Sequence, residues 1–248
     1  MFKILFLFFL FIFIDCGEDV RQEKFTLKGK WKTEKSNSVF EKDSLEILYD
    51  FSSLDENVYS AKIIGLDNPF DDAGEIIKCP YCEETPKSLL GYSIFKNLKY
   101  NGSTYKGKMY DIYNRKWFDC KIEIIDSNTL KVRYFPYLSI FGKNIYLKRG
   151  EEFFQKLLNY KFTEYDRTTP YGYYALSLGQ IEKIDEHNFS INLKENLEKF
   201  NESKGYIIKE DGKLNQYINF FKFENGKNFF QSNESIVDTG ETVFILKK

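Results

Sequence analysis

Cys79 and Cys82, in Lys78-Cys79-Pro80-Tyr81-Cys82, have the C-x-x-C spacing used by redox motifs and by zinc half-sites. A zinc site would need two further ligands. Apart from Cys16, the rest of the chain supplies one more cysteine, Cys120, and one histidine, His187. A thioredoxin-like site needs its cysteine at a helix start in a βαβ setting. This pair instead lies in a presumed loop among stretches that read as antiparallel strands. In an exported chain the expectation is a local disulfide between Cys79 and Cys82. Cys120 falls on the apolar side of an alternating run and reads as a buried free thiol.

His187, in Asp185-Glu186-His187-Asn188, reads as an exposed turn residue. As the only histidine, it removes multi-histidine metal sites and leaves Ser-His-Asp or Cys-His catalysis hanging on one turn. Carboxylates are abundant, so paired-acid chemistry of the glycosidase kind stays open, yet no spacing singles out a pair. Asp111 is the most conspicuous acid, and an acid beside a hairpin serves turn geometry. Glycines are scattered singly, with no phosphate-cradling loop. No catalytic set, metal site or cofactor is expected.

The N-terminus indicates export. Residues 4 to 14 form an unbroken apolar run behind Lys3, the length of a secretory h-region and short for a membrane span. Cys16 follows at once, so 1–16 reads as a signal peptide, with Cys16 a candidate for lipidation. Phe13 and Asp15 depart from the usual residues before a lipidated cysteine. Soluble export and an uncleaved anchor are therefore the alternatives. The protein is placed in a bacterial envelope, in the periplasm or as a membrane-anchored lipoprotein. Any membrane association would run through this segment alone.

Composition narrows the partners. A formal net charge of −1 supplies no basic surplus for nucleic acid. Aromatics make up 18% of residues, mostly Phe and Tyr. They suit the pleated core of a β protein and equally an aromatic-lined cavity.

Strand signals fill the first half: Gly29–Thr33, Leu45–Tyr49, Val58–Gly65, Leu89–Leu98, Ser103–Asp111, Lys116–Ile125, Thr129–Phe135 and Lys143–Lys148. Phe118, Cys120, Ile122 and Ile124 alternate with Asp119, Lys121 and Glu123. Leu130, Val132 and Tyr134 alternate with Lys131 and Arg133. Asn114-Arg115 and Asp126-Ser127-Asn128 supply turns. Eight short strands with small connections fit a closed antiparallel barrel. Asp67 to Lys87, with its prolines and acids, reads as a long loop across one mouth.

Gly29-Lys30-Trp31 at the first strand is similar to the start of the lipocalin superfamily. The stretch from Lys99 to Arg149 resembles a lipocalin-like bacterial family, domain of unknown function 2147. Gly107, Tyr110, Asp111, Lys116 and Phe118 fall in step with that family's Gly-x-Tyr-Asp-Pro-x-x-Gly-Lys-x-Tyr turn. Leu130, Val132 and Arg133 match its Leu-x-Val-Arg strand, and Gly142 and Arg149 match its closing segment. Leu90-Gly91-Tyr92 is similar to its Leu/Ile-Gly-Leu step. Ile112 and Arg115 stand where the family has Pro and Gly, and Tyr146 replaces the closing Trp. The resemblance covers about residues 25–150 and implies an exported lipocalin-like barrel. It further implies that Trp31 plugs the base beneath Arg149. The family has no established activity to carry over.

Residues 151–248 lie outside that resemblance. Glu151–Lys161 reads as a short amphipathic helix, since Phe153, Phe154, Leu157 and Leu158 share a face. Strands are expected at Tyr171–Leu178, Gln180–Ile184, Phe189–Leu193, Tyr206–Lys209, Tyr217–Glu224, Asn228–Gln231 and Thr242–Lys247. Lys194–Ser203 reads as helical, and Asp211-Gly212 and Asn225-Gly226 as hairpin turns. The whole is mostly β: an eight-stranded barrel followed by a β-rich C-terminal domain or sheet extension with one or two short helices. Three functions fit this reading. One is a non-enzymatic envelope protein binding a small apolar or amphipathic ligand. The others are an interaction module with a filled barrel and a carboxylate-dependent hydrolase.

Overall fold

A computed structural model describes residues 26–33, 46–55, 57–71, 77–79, 87–112, 114, 116–135, 142–159, 168, 172–193, 197, 205–208, 214–232 and 242–247. The first part comprises β1 (Gly29–Thr33), β2 (Ile47–Asp55), β3 (Val58–Asp67), β4 (Lys78–Cys79), β5 (Lys87–Ser88), β6 (Ser93–Tyr100), β7 (Tyr105–Asp111), β8 (Lys116–Asp126), β9 (Thr129–Phe135) and β10 (Lys143–Arg149). All but β4 and β5 close into an eight-stranded antiparallel ring in the order β1-β2-β3-β6-β7-β8-β9-β10. Trp31 lies opposite Tyr49 on one side and Arg149 on the other, which seals the ring at β1.

Alternation decides which residues enter this barrel. Trp31, Tyr49, Phe51, Ile63, Phe95, Ile122, Val132 and Leu147 are buried inside one continuous core. A one-residue slip would turn that whole set to water, so burial pins the register. Tyr49, Phe51 and Phe95 meet with ring centroids 5.2–6.4 Å apart, within the range of favourable aromatic pairs. The turns after β2, β6 and β8 all lie at the end where β1 begins. We call this end the floor and the opposite end the mouth.

The chain then forms α1 (Glu151–Asn159), β11 (Tyr174–Lys183), β12 (Asn188–Ile191), β13 (Gly205–Ile208), β14 (Leu214–Glu224), β15 (Lys227–Ser232) and β16 (Thr242–Lys247). These six strands close on themselves as well, in the order β11-β12-β15-β14-β13-β16. The two rings are joined through β3. Its lower half, from Val58 to Lys62, pairs with β6, whereas Gly65, Leu66 and Asp67 pair with Leu176, Ala175 and Tyr174 of β11. A second core gathers Leu48 from the outer side of β2 with Phe154 and Leu158 of α1, Leu176, Leu178 and Ile181 of β11, and Phe189, Ile191 and Phe230. The helix thus buries its apolar stripe against the barrel wall and the second ring together. Lys30 and Lys32 cross it with their ammonium groups over Phe154 and Phe153, at 4.3 and 4.6 Å.

Several local expectations need correction. Tyr171–Leu178 and Gln180–Ile184 are one strand, because a bulge between Ser177 and Gly179 absorbs the break in alternation. The strand expected at Leu45–Tyr49 runs on to Asp55, and the one expected from Leu89 begins at Ser93. The stretch from Asp67 to Lys87 holds the small β4–β5 ladder, in which Cys79 faces Lys87. Leu197 is not helical; its backbone N–H is held by the buried Asn228 side chain at 2.9 Å. The rest of the helix expected at Lys194–Ser203 lies outside the described residues, as does the turn at Asp211-Gly212. At Asn225-Gly226 both residues have positive φ, 52° and 75°, which suits a tight two-residue hairpin between β14 and β15.

Candidate functional site at the floor and mouth of the barrel

The floor is built around Arg149. Its guanidinium carbon lies 3.8 Å from the centre of the Trp31 ring. Nε donates to the Ser127 carbonyl at 2.9 Å, Nη1 to the Lys28 carbonyl at 3.0 Å, and Nη2 to the Thr26 carbonyl at 2.9 Å. Trp31, fully buried, donates its indole N–H to the Leu27 carbonyl at 2.9 Å. One planar cation therefore ties the segment entering β1 to the turn after β8 while covering the indole, which a lysine's point charge would not do. Glu151 completes the group: its Oε1 accepts the Lys30 N–H at 2.8 Å and lies 3.5 Å from Arg149 Nη1. Its role was missed in the sequence, although an acid in the first turn of a helix was a usable signal. Gly29 has φ 121°, and a Cβ there would collide with Glu151 Oε1 and Arg149 Nη1. Glycine at this position is therefore a requirement chiefly of its backbone, since the two side-chain ends could swing aside. The chemistry of the floor is structural.

The mouth differs. On β8, β9 and β10 the apolar inward positions nearest the mouth are Phe118, Tyr134 and Ile145, all half-buried, with the exposed Lys116 and Lys143 at the next inward positions beyond them on β8 and β10. One inward step deeper, Cys120, Val132 and Leu147 are sealed. The Phe118 and Tyr134 rings lie 5.9 Å apart. This side of the mouth presents apolar and aromatic side chains rimmed by two lysines, above sealed inward positions. Burial pushes the Cys120 thiol up to about 12, so it is protonated at neutral pH and a poor nucleophile.

The remaining motif residues serve the walls. A Cβ on Gly107 would stand 2.6 Å from the Lys96 carbonyl, where β6 bulges through Asn97 at φ 54°. Tyr110 is buried with its ring 5.4 Å from Trp117, and Lys96 covers Trp117 at 4.8 Å. Asp111 is buried and accepts from both the backbone and side-chain nitrogens of Asn114, at 2.9 and 2.8 Å. Lys116 is exposed opposite it at the start of β8. Leu130 and Val132 are interior, whereas Arg133 reaches Asn144 at 3.0 Å. A Cβ on Gly142 would stand 2.7 Å from the Tyr134 carbonyl. Cys16 and Cys82 lie outside the described residues, as does the side chain of Cys79. His187 is exposed in a turn whose Asp185 carboxylate accepts the backbone N–H of His187 and Asn188, each at 2.8 Å. No group of three or more metal-ligating side chains occurs among the described residues.

Residues 29–149 match the model of a family described as "Uncharacterized protein conserved in bacteria (DUF2147)". A search of solved structures matches protein HP1028 of Helicobacter pylori, described as belonging to the lipocalin family. It is 19% identical, with a TM-score of 0.43, over 57% of this chain and 92% of that one. No curated protein matches. The family match runs from the first residue of β1 to the last of β10, and so coincides with the eight-stranded ring.

Proposed function

We propose that this protein is a non-enzymatic binding protein of the bacterial envelope that holds a small apolar or amphipathic ligand at the barrel mouth. The observation that carries the reading is the burial gradient from half-open Phe118, Tyr134 and Ile145 to sealed Cys120, Val132 and Leu147. Aromatic and aliphatic side chains of this kind are what line the sites of apolar ligands. The filled lower interior limits depth, so the ligand sits high, with room for a polar end towards solvent. Export, from the N-terminal apolar run, supplies the compartment in which such a carrier would work.

The same filled interior favours a second reading, an interaction module whose barrel is only a scaffold. Titration with the apolar fluorophore N-phenylnaphthylamine separates the two. Saturable enhancement that is lost in Phe118→Ala/Tyr134→Ala supports ligand binding. A folded wild-type protein that leaves the probe dark would leave the scaffold reading standing. Native mass spectrometry of protein from its own envelope would then show whether a small molecule co-purifies.

A further inference from the structure

Among the described residues, large apolar side chains are exposed at five positions, and three of these sit at the floor end of the barrel. Leu54, 65% exposed, precedes the turn from β2 to β3; Tyr100, 45% exposed, ends β6; Ile125, 49% exposed, precedes the turn from β8 to β9. Bulges at Ser53/Asp55 and Ile124/Asp126 turn Leu54 and Ile125 out of the regular alternation. Tyr100 is fixed by its hydroxyl, which donates to the Gly102 carbonyl at 2.7 Å, and by its ring lying 5.0 Å from that of Tyr105.

The chain enters the barrel at this same end, where Arg149 holds the Thr26 and Lys28 carbonyls. The dozen residues from Asp15 to Thr26 span at most about 40 Å fully extended. We propose that the floor is a bilayer-facing surface, with Leu54, Tyr100 and Ile125 seated at headgroup level and the barrel mouth directed away from the membrane. This rests on the export reading in its anchored form, in which the apolar run or a lipid on Cys16 stays in the bilayer. Tyrosine and aliphatic side chains suit that depth. The tether keeps the floor close to the membrane at high effective concentration, so three side chains suffice where a free protein would need a larger patch. Asp55 and Asp126 stand at this end alongside the exposed Lys28, Lys99 and Lys106, so charges of both signs surround the apolar side chains.

The test uses the full chain in vesicles of phosphatidylethanolamine and phosphatidylglycerol carrying brominated acyl chains, which quench nearby indoles. Leu54→Trp and Tyr100→Trp are compared with Tyr146→Trp, on the outer wall of β10, each against the parent chain. Expected is flotation of every variant, with a loss of the added emission of the two floor variants, whose indoles would lie at headgroup level, and no loss for Tyr146→Trp. Flotation with unquenched floor variants overturns the docking surface and leaves anchoring intact. Floor variants shielded from aqueous iodide yet untouched by brominated lipid, in a species of twice the mass, would assign the floor to a second copy and also overturn the proposal. A full chain that fails to float removes the anchored reading and the proposal with it.

Discussion

Glu151 Oε1 occupies the space that a side chain on Gly29 would need, and from there it accepts the N–H of Lys30 at 2.8 Å. The first strand of the barrel and the first turn of the helix are thereby fitted to each other. Gly29→Ala combines an unfavourable positive φ with displacement of the Glu151 carboxylate, and is expected to cost about 1–3 kcal/mol. Glu151→Ala in the same chain should return the displacement part and leave the backbone part. A double-mutant cycle by urea denaturation measures the split; strict additivity would show that the two residues do not meet.

Removing Trp31 empties the floor. Trp31→Ala should cost about 3–5 kcal/mol, the range for a buried aromatic. Arg149→Ala should cost about 1–2 kcal/mol, through lost stacking on the indole and three carbonyl contacts that water only partly replaces, and Arg149→Lys should recover little of it. Thermal melts report both. An unchanged melting temperature in Trp31→Ala, with apolar probe binding alone abolished, would move this residue from scaffold to binding site.

Asp111 holds the turn before β8 through two bonds to Asn114. Asp111→Ala is expected to lower stability by about 1–3 kcal/mol, and Asp111→Asn by less, because an amide oxygen still accepts the backbone N–H. Equal losses in the two variants would argue that charge, and not turn geometry, is what the position needs.

The Cys120 thiol titrates near pH 12 in the fold, against an ordinary value of 9.0, because it is buried. Above about pH 9 the unfolded thiol releases its proton while the folded one keeps it, so the contribution is whole below about pH 9 and is lost as pH rises from 9 towards 12. Cys120→Ala should flatten that alkaline decline. Thiol labelling of the native protein at pH 8 should leave Cys120 unmodified until denaturant is added; prompt labelling would mean that the barrel opens far more often than its sealed interior implies.

Probe binding and stability should separate along β8. Phe118→Ala is expected to weaken probe affinity roughly tenfold and cost under about 1 kcal/mol of stability, since the ring is half-buried. Ile122→Ala, two steps deeper, should cost about 2–5 kcal/mol and leave affinity within twofold. Matching effects on both measurements at both sites would remove the distinction between mouth and interior.

The alternation of Phe118, Cys120, Ile122 and Ile124 is a local record of which face is buried, and the strands that carry such a record were legible from residues alone. Asn225-Gly226 was legible for the same reason, because a tight turn states its backbone needs in its own side chains. Other features depend on what arrives from far along the chain. Arg149 gathers carbonyls from Thr26, Lys28 and Ser127, and a carbonyl leaves no mark in a sequence. The closure of the second ring rests on β12 meeting both β11 and β15, pairings with no signature in any one strand. The bulge at Ser177/Gly179 hid one strand as two, since a two-residue period cannot survive an extra residue. At the mouth, Phe118 was readable as inward-facing, but its partial exposure depends on how its neighbours stop short of it.

Because β3 gives its lower half to one ring and its upper end to the other, neither ring owns a complete set of partners. A chain cut after Gly150 would leave Gly65–Asp67 as a bare edge and turn Leu48 and Ile64 towards water, an invitation to self-association. The two rings should melt in a single transition, and excising the family-matched half should yield an aggregating fragment in place of a miniature of the whole.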